Sequence, residues 1–243
     1  MKTQAAYQIR RSPRAKRARI IVTADKIEVV APLRMPEKQI KLFMQEKQLW
    51  VENAKNQVAE HAANITSFAP KSYQQGAMIP YQANQYPLLI ELTKSSQLRI
   101  EFNQENFTLY IAKPLYSTLS AAELSEKVRE LVITWMFQAA REQAIKSLDH
   151  YAPLYQLKPR SITIKAVKSR WGSCGIHNDI NLNWLLILAP AEVYEYVVIH
   201  ELCHIQQRNH SAAFWALVAQ HCPDYKQRRA WLKQQGASLM LGL

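Results

Sequence analysis

The stretch that decides the fold is His200-Glu201-Leu202-Cys203-His204-Ile205-Gln206-Gln207-Arg208-Asn209-His210. It begins with the pattern H-E-x-x-H, and a third histidine follows six residues after the second. Because helical residues four apart project from one face, His200 and His204 can bind a single ion together. Glu201 can then reach a water on that ion without being a ligand. The stretch therefore predicts a metal-binding helix.

His210 can join the other two histidines only if the helix ends before it. A continuous helix would carry it about 15 Å from His200. We expect the break near Asn209, since asparagine tolerates the left-handed conformation that ends helices. Three neutral nitrogen ligands and an open fourth position for water are the layout of a catalytic zinc site. We predict one Zn²⁺ per chain, with Glu201 as the catalytic residue.

A simpler interpretation treats the two histidines of the H-E-x-x-H pattern as ordinary core residues of an apolar helix. The usable spacing of His210 argues against it. So does the clustering of histidines, because three of the chain's seven fall between residues 200 and 210. A zinc hydrolase is the working hypothesis.

The composition is that of a globular protein in a reducing compartment. Hydrophobic residues make up 48% of the 243 residues and charged residues 21%. No apolar run approaches the roughly 20 residues of a membrane helix, and residues 1–8 contain no apolar signal-peptide core. The odd, widely separated cysteines, Cys174, Cys203 and Cys222, argue against a disulfide framework. We expect a cytoplasmic protein without a membrane partner.

The net charge is +12, and a field of this sign attracts polyanions, so nucleic acid is a possible partner. Six basic residues lie between Arg10 and Arg19. They fit either a phosphate-binding strip or a charged edge strand that resists aggregation.

The hydrophobic patterns predict an α+β fold, with a β-rich portion at residues 1–115 and a catalytic portion at 116–243. The first portion contains one long helix, from Pro36 to about His61, whose stripe, including Trp50, we expect to pack in the core. Its other segments are β-strands, within 1–35 and within 68–113. The second portion opens on the capping box of Ser120 and Glu123, which starts a helix to about His150.

The catalytic portion then alternates strands and helices, and we expect it to be zincin-like. Strands are predicted at 161–167 and 179–184, and the zinc-binding helix starts at 189–192. Two further helices start at Ser211 and Pro223, and Gly236 is expected to end the last. Trp215 and Trp231 are expected to brace the turn that carries His210.

Three motifs together resemble the YgjP-like metallopeptidase family, which is related to the SprT and Spartan-type zinc proteases. They are the Lys-Ser-Arg-Trp-Gly-Ser-Cys run at 168–174, Ile-Asn-Leu-Asn-Trp at 180–184, and the stretch from His200 to Trp215. Ser12 to Arg19, the Trp50 helix and 223–233 extend the likeness over nearly the whole chain. The resemblance implies that His200, His204 and His210 bind zinc and that Glu201 is the catalytic glutamate.

The chain departs from related patterns at two places. Residues 79–83 read Ile-Pro-Tyr-Gln-Ala where a Tyr-Leu-Gly-like turn is expected. The histidine spacing also resembles that of metzincins, but Gln207 stands where those enzymes have their turn glycine. A metzincin assignment therefore does not follow.

The predicted activity is peptide-bond hydrolysis by metal-activated water, with Glu201 as general base. The substrate would be a protein or peptide, and it could add as a strand beside residues 180–184. An additional donor would hold the oxyanion, for which the candidates are Arg170, Tyr225 and Arg228.

Two alternatives keep the metal site but change its purpose. A metal-dependent phosphohydrolase acting on nucleotides suits the positive charge, although the Asp and Glu cluster that usually holds magnesium is absent from the motif. A nucleic-acid-associated module with a structural zinc would need a fourth ligand, for which His221 or Cys222 could serve.

Overall fold

A computed structural model describes residues 6–23, 25–63 and 65–243 of the chain. The predicted fold class is confirmed at the level of α+β, because three sheets are combined with seven α-helices within this part. The chain forms two compact units, residues 1–66 and 67–243. Ala24, where the sequence predicts a turn between the first strands, lies outside the described residues, as do residues 1–5.

The first unit is a small sheet with two helices and a core of its own. The sheet has the order β1 (Gln8–Ser12), β3 (Ile27–Pro32), β2 (Arg19–Val22). Three of the six basic residues, Arg10, Arg11 and Arg19, therefore lie on edge strands, and the other three lie between these strands. This placement suits the edge-strand interpretation, and Arg10 is paired with Glu28 at 3.0 Å. Arg11 donates to the carbonyls of Pro32 and Met35, which fixes the corner after β3. The elements are β1 (Gln8–Ser12), β2 (Arg19–Val22), β3 (Ile27–Pro32), α1 (Glu37–Glu46) and α2 (Gln48–Ala63).

The long helix predicted from Pro36 to His61 is two helices, interrupted at Lys47. Ile40, Met44 and Val51 of the predicted stripe are buried. The prediction for Trp50 is wrong, because 52% of this residue is exposed. Val51 at the next position is buried instead, so Trp50 lies beside the buried stripe and not within it.

The second unit begins with a sheet of order β4-β5-β7-β6, in which β5 and β7 are parallel. Gln82 and Ala83 form the two-residue turn between β4 and β5, both with positive φ, at 47° and 61°. Their amides donate to the carbonyls of Ile187 and Leu188, which hold this glycine-free turn in place. The strands are β4 (Met78–Tyr81), β5 (Asn84–Thr93), β6 (Arg99–Phe102) and β7 (Phe107–Ala112).

The short helix α3 (Lys113–Thr118) leads to the long helix α4 (Ala121–Leu154). The predicted capping box is confirmed: the Ser120 hydroxyl accepts from the Glu123 amide, and the Glu123 carboxylate accepts from the Ser120 amide. The ring of Trp135 on α4 packs edge-on against that of Phe107 on β7, with centroids 5.0 Å apart. The sheet of β4, β5, β6 and β7 and helix α4 therefore share one core.

The last sheet positions the site. It consists of β8 (Ser161–Lys165), β9 (Gly172–Cys174) and β10 (Asp179–Asn183), with β10 in the centre, parallel to β8 and antiparallel to β9. A 3₁₀ helix (Trp184–Leu188) then leads into α5 (Ala191–Cys203), and α6 (Ala212–His221) and α7 (Tyr225–Leu239) follow. Gly236 is an interior residue of α7, so the prediction that it ends this helix is wrong.

The predicted boundary at residue 115 differs from the division at residue 66. The reason is the shared core, because buried residues of β4, β5 and β7 belong to the same cluster as α4 and α5. These residues are Ile79, Leu88, Phe107, Leu109 and Ile111. Alternation of strand and helix patterns does not reveal which sheet packs on which helix. No described helix is both long enough and apolar enough to cross a membrane.

Candidate metal centre

Helix α5 ends at Cys203, so that His204 is its C-terminal cap. The amide of Ile205 bonds to the Leu202 carbonyl, and that of Gln207 to the Cys203 carbonyl, which closes a tight last turn. The predicted break at Asn209 is wrong, because the helix ends six residues earlier and Asn209 is not among the positive-φ residues. The chain turns back without a left-handed residue at this position.

This early turn brings His210 beside the other two histidines. The ring nitrogens of His200, His204 and His210 that could ligate a metal lie within 4.8 Å of one another. Nε2 of His200 is 3.1 Å from Nε2 of His210. Two nitrogens bound tetrahedrally to one zinc ion at roughly 2.0–2.1 Å would be about 3.3 Å apart. The three residues fit a metal ion.

Orientation and charge suit these histidines to metal binding. Nδ1 of His204 lies 2.9 Å from the carbonyl oxygen of Gln207, which leaves Nε2 free for a metal. Burial, followed by the neighbouring His204 and His210, lowers the pKa of His200 to about 3. Burial also lowers the pKa of His204. Both imidazoles are therefore neutral near pH 7, as metal ligands must be.

Glu201 follows the first histidine and is 5% exposed. Burial raises its pKa to about 8, and the positive charge of Arg170 opposes that rise. Its Oε2 atom is buried without a hydrogen-bond partner among the described residues. A buried carboxyl group of this kind is costly for folding, and perturbed groups of this kind concentrate at functional sites.

Gly172, the first residue of β9, lies directly against Glu201. A Cβ atom at this position would be 2.5 Å from Oε1 and 2.7 Å from Cγ of Glu201. Only glycine therefore allows the strand to approach the carboxylate this closely. The Lys168–Cys174 motif supplies this glycine.

Asn183, at the end of β10, holds the loop before Gly172. Its fully buried side chain donates to the carbonyls of Val167 (2.7 Å) and Arg170 (3.2 Å). Its main-chain amide donates to the carbonyl of Trp171 at 2.8 Å. One asparagine thus positions the strand edge that contacts Glu201.

Helix α6 supports the histidines from the other side. The Ser211 hydroxyl caps it by accepting from the Phe214 amide. The Phe214 ring stacks on His204 with centroids 4.4 Å apart, and the Trp215 ring stacks on His210 at 5.7 Å. The prediction that Trp215 braces the His210 turn is therefore confirmed, and Trp231 is partly buried against the core of the unit.

A cavity of about 320 Å³ opens beside the histidines and the carboxylate. Its wall includes Trp171, Tyr196, His200, Glu201, Arg229 and Lys233. Arg229 is not among the residues predicted from the sequence for this site. Arg228 and Arg229 are adjacent in sequence, and only the rotation of α7 decides which of them faces the cavity.

The predicted oxyanion donors have different surroundings. Arg228 bonds to Asp224 at 2.8 Å and to the Glu192 carbonyl, near the start of α5, so its role is to hold two helices together. Tyr225 is buried with its ring stacked on Trp215 at 5.5 Å. The positive charge of Arg170 lowers the pKa of the Glu201 carboxyl group and so opposes the effect of burial.

Two other predictions are corrected by the structure. Strand β10 is paired on both sides, so a peptide cannot add beside residues 180–184. Among the described strands, β9 pairs only with β10, so its outer edge has no strand partner. Neither His221 nor Cys222 belongs to the three-histidine group; the His221 ring stacks on Tyr155, and the Cys222 thiol lies 3.3 Å from an Asp224 carboxylate oxygen.

Comparison with known proteins assigns the family. No curated protein matches the sequence. Among solved structures, the chain is similar to the crystal structure of the metallopeptidase zymogen of Pyrococcus abyssi abylysin, with 20% identity and a TM-score of 0.35 over 38% of this chain and 95% of that chain. The family description "YgjP-like, metallopeptidase domain" matches residues 16–235. The chain therefore belongs to the YgjP-like metallopeptidases, a family of metal-dependent hydrolases.

Proposed function

We propose that this protein is a zinc metallopeptidase of zincin-like fold, with His200, His204 and His210 as ligands and Glu201 as general base. One observation carries the proposal: the ring nitrogens of three histidines converge beside the buried carboxyl group of Glu201, whose Oε2 atom has no partner among the described residues. A cytoplasmic location and a nucleic-acid partner stay predictions from composition.

The ligand set supports zinc. Three imidazole nitrogens from protein, with a fourth position open, are a common arrangement at catalytic zinc sites. Zinc, when bound, supplies a Lewis acid that activates water for attack on a peptide carbonyl. Oxygen-preferring cations such as magnesium would find no carboxylate within the three-residue group.

Glu201 supplies the proton transfers. In its ionised form it would accept the proton of an attacking water, and it would then donate that proton to the leaving amine. Gly172 leaves the space that the carboxylate occupies, and Arg170 contributes a nearby positive charge that favours its ionised form.

The outer edge of β9 is the proposed docking edge for the substrate main chain. A peptide that adds there would form main-chain hydrogen bonds next to Gly172, and therefore next to Glu201. This replaces residues 180–184 as the docking strand.

The first test is Glu201→Gln in the full chain. We expect peptide hydrolysis to fall by roughly 10²- to 10⁴-fold, because the general base is lost. Zinc content, measured by atomic absorption, should stay at one per chain. Glu192→Gln is the matched control, since this exposed residue of α5 is remote from the cavity wall. Undiminished hydrolysis by Glu201→Gln would exclude the proposed base.

A metal-dependent phosphohydrolase is the second candidate, favoured by Arg229 and Lys233 at the same cavity. Phosphate groups bind readily to such cations. Casein and nucleoside triphosphates assayed in parallel, each with the Glu201→Gln control, separate the two activities. Release of phosphate or pyrophosphate without peptide cleavage would replace the peptidase proposal.

A further inference from the structure

The cavity beside the metal centre combines an apolar wall with two positive charges. Trp171 and Leu232 supply apolar surface, and Arg229 and Lys233 lie four residues apart on α7. Residues at this spacing project from the same face of a helix. At about 320 Å³, the cavity is near the lower end of the roughly 300–1,000 Å³ of small-ligand sites, so it suits one side chain or one small group.

Neither cation is paired with an acidic residue in the described part of the chain. The adjacent Arg228 differs, because Asp224 and Glu195 both lie within 3.5 Å of it. The Arg229 guanidinium lies 4.6 Å above the Trp215 ring, and Trp215 stacks on His210. The guanidinium is thus held near His210 without an ion pair in the described part of the chain, although Glu201 lines the same cavity.

Tyr196 adds a possible hydrogen-bond donor on the cavity wall. It lies one helical turn before His200 on α5 and lines the same cavity. The pKa of Tyr196 is raised to about 12 by burial, and the charge of Arg229 opposes the rise. Tyr196 and Arg229 therefore lie on the wall of one cavity.

From this arrangement we infer that the cavity is a subsite for a carboxylate of the substrate, with Arg229 as the specificity-determining residue and Lys233 as a second cation. The inference rests on the proposed peptidase function, whose substrate class it narrows. The carboxylate belongs either to an acidic side chain next to the cleaved bond or to the C-terminus of the peptide. In both cases, partial enclosure strengthens its attraction to the two cations.

The test compares matched peptides on the zinc-loaded full chain. One pair differs by Glu against Gln beside the cleaved bond, and a second pair by a free C-terminus against an amide. We expect kcat/KM to be higher for the peptide with the carboxylate in one of the two pairs. That pair shows whether the bound carboxylate belongs to a side chain or to the C-terminus. Arg229→Gln should reduce that preference roughly 10- to 100-fold, because a hydrogen-bonded charge pair is lost. Arg229→Lys should restore part of it.

Lys226→Gln is the matched control, because it removes the same charge from the same helix at a position that does not line the cavity. It should leave the preference unchanged. The inference would be overturned if the wild type and Arg229→Gln preferred the carboxylate peptide equally. It would also be overturned if Lys226→Gln lost as much of this preference as Arg229→Gln. Cleavage without carboxylate preference would leave the peptidase proposal standing.

Binding supplies a measurement that does not depend on turnover. Calorimetric titration of glutarate into the zinc-loaded full chain should show binding that weakens at least tenfold in Arg229→Gln and not in Lys226→Gln. Equal affinity in all three proteins contradicts the inference, as does Arg229-dependent binding of orthophosphate with none of glutarate. Absence of hydrolysis of every peptide would instead count against the proposed function alone.

Discussion

The contact between Gly172 and Glu201 is the tightest steric constraint in the candidate metal centre. Their closeness is visible only in three dimensions, because 29 positions of the chain separate them. The histidines and the glutamate could be predicted, since their helical spacing is a local property of the sequence. Gly172 belongs to the motif at 168–174, but no local pattern in the sequence marks its contact with Glu201. Arg229 could not be told from Arg228 without the orientation of α7.

Gly172→Ala should lower hydrolysis without removing the metal ligands. The added methyl group would lie 2.5 Å from Oε1 of Glu201 and must displace the carboxylate. Misplacement of a catalytic group by about 1 Å can cost about 100-fold in rate. We expect a fall of that order in kcat/KM, with zinc content unchanged. Gly175→Ala is the control, because its nearest contact would be at 3.7 Å. Equal activity of the two variants would contradict this role for Gly172.

The end of α5 shows what an element-scale pattern can and cannot predict. The spacing required a break between His204 and His210, and a break is present. Its position was wrong because the last turn closes by main-chain hydrogen bonds alone, without a left-handed asparagine. Residue propensity identifies places where a helix can end, but tertiary contacts, here the stacking of Phe214 on His204, select among them.

Asn183 provides a test of how the end of β10 stabilises the loop before Gly172. Asn183→Ala removes the donor to the carbonyls of Val167 and Arg170, and an unsatisfied buried group costs about 1–3 kcal/mol. We expect the free energy of unfolding to fall by about 2 kcal/mol in urea titrations. Asn181→Ala should cost less, since its amide lies 3.4 Å from the Ser173 hydroxyl and is only partly buried. A larger loss in Asn181→Ala would show that the loop is held by other contacts.

At the scale of the whole molecule, the second compact unit extends from residue 67 to residue 243. The sequence revealed the α+β class but not this division, because the boundary depends on which elements share a core. The first four strands of this unit pack with α4, as the contacts of Trp135 with Phe102 and Phe107 illustrate. Such pairings join residues far apart in sequence and leave no local signal.

A chain of residues 67–243 should therefore fold and bind one zinc ion, whereas residues 116–243 alone should not. The shorter chain loses Ile79, Leu88 and Phe107, each fully buried, and exposes their partners on α4. Circular dichroism melting with zinc analysis of both chains checks the expectation. A cooperative, zinc-binding 116–243 would restore the boundary at residue 115.

The position of His210 on an exposed segment has a kinetic consequence. His200 belongs to a helix packed in the core, whereas His210 follows the end of that helix and is itself exposed. Release of an ion would then begin at His210, since a surface segment can open while the core stays folded. Chelator-driven zinc loss, followed by stopped flow, should be faster in Trp215→Ala, which removes the ring stacked on His210. In cells, the same opening would let the protein exchange its metal without unfolding.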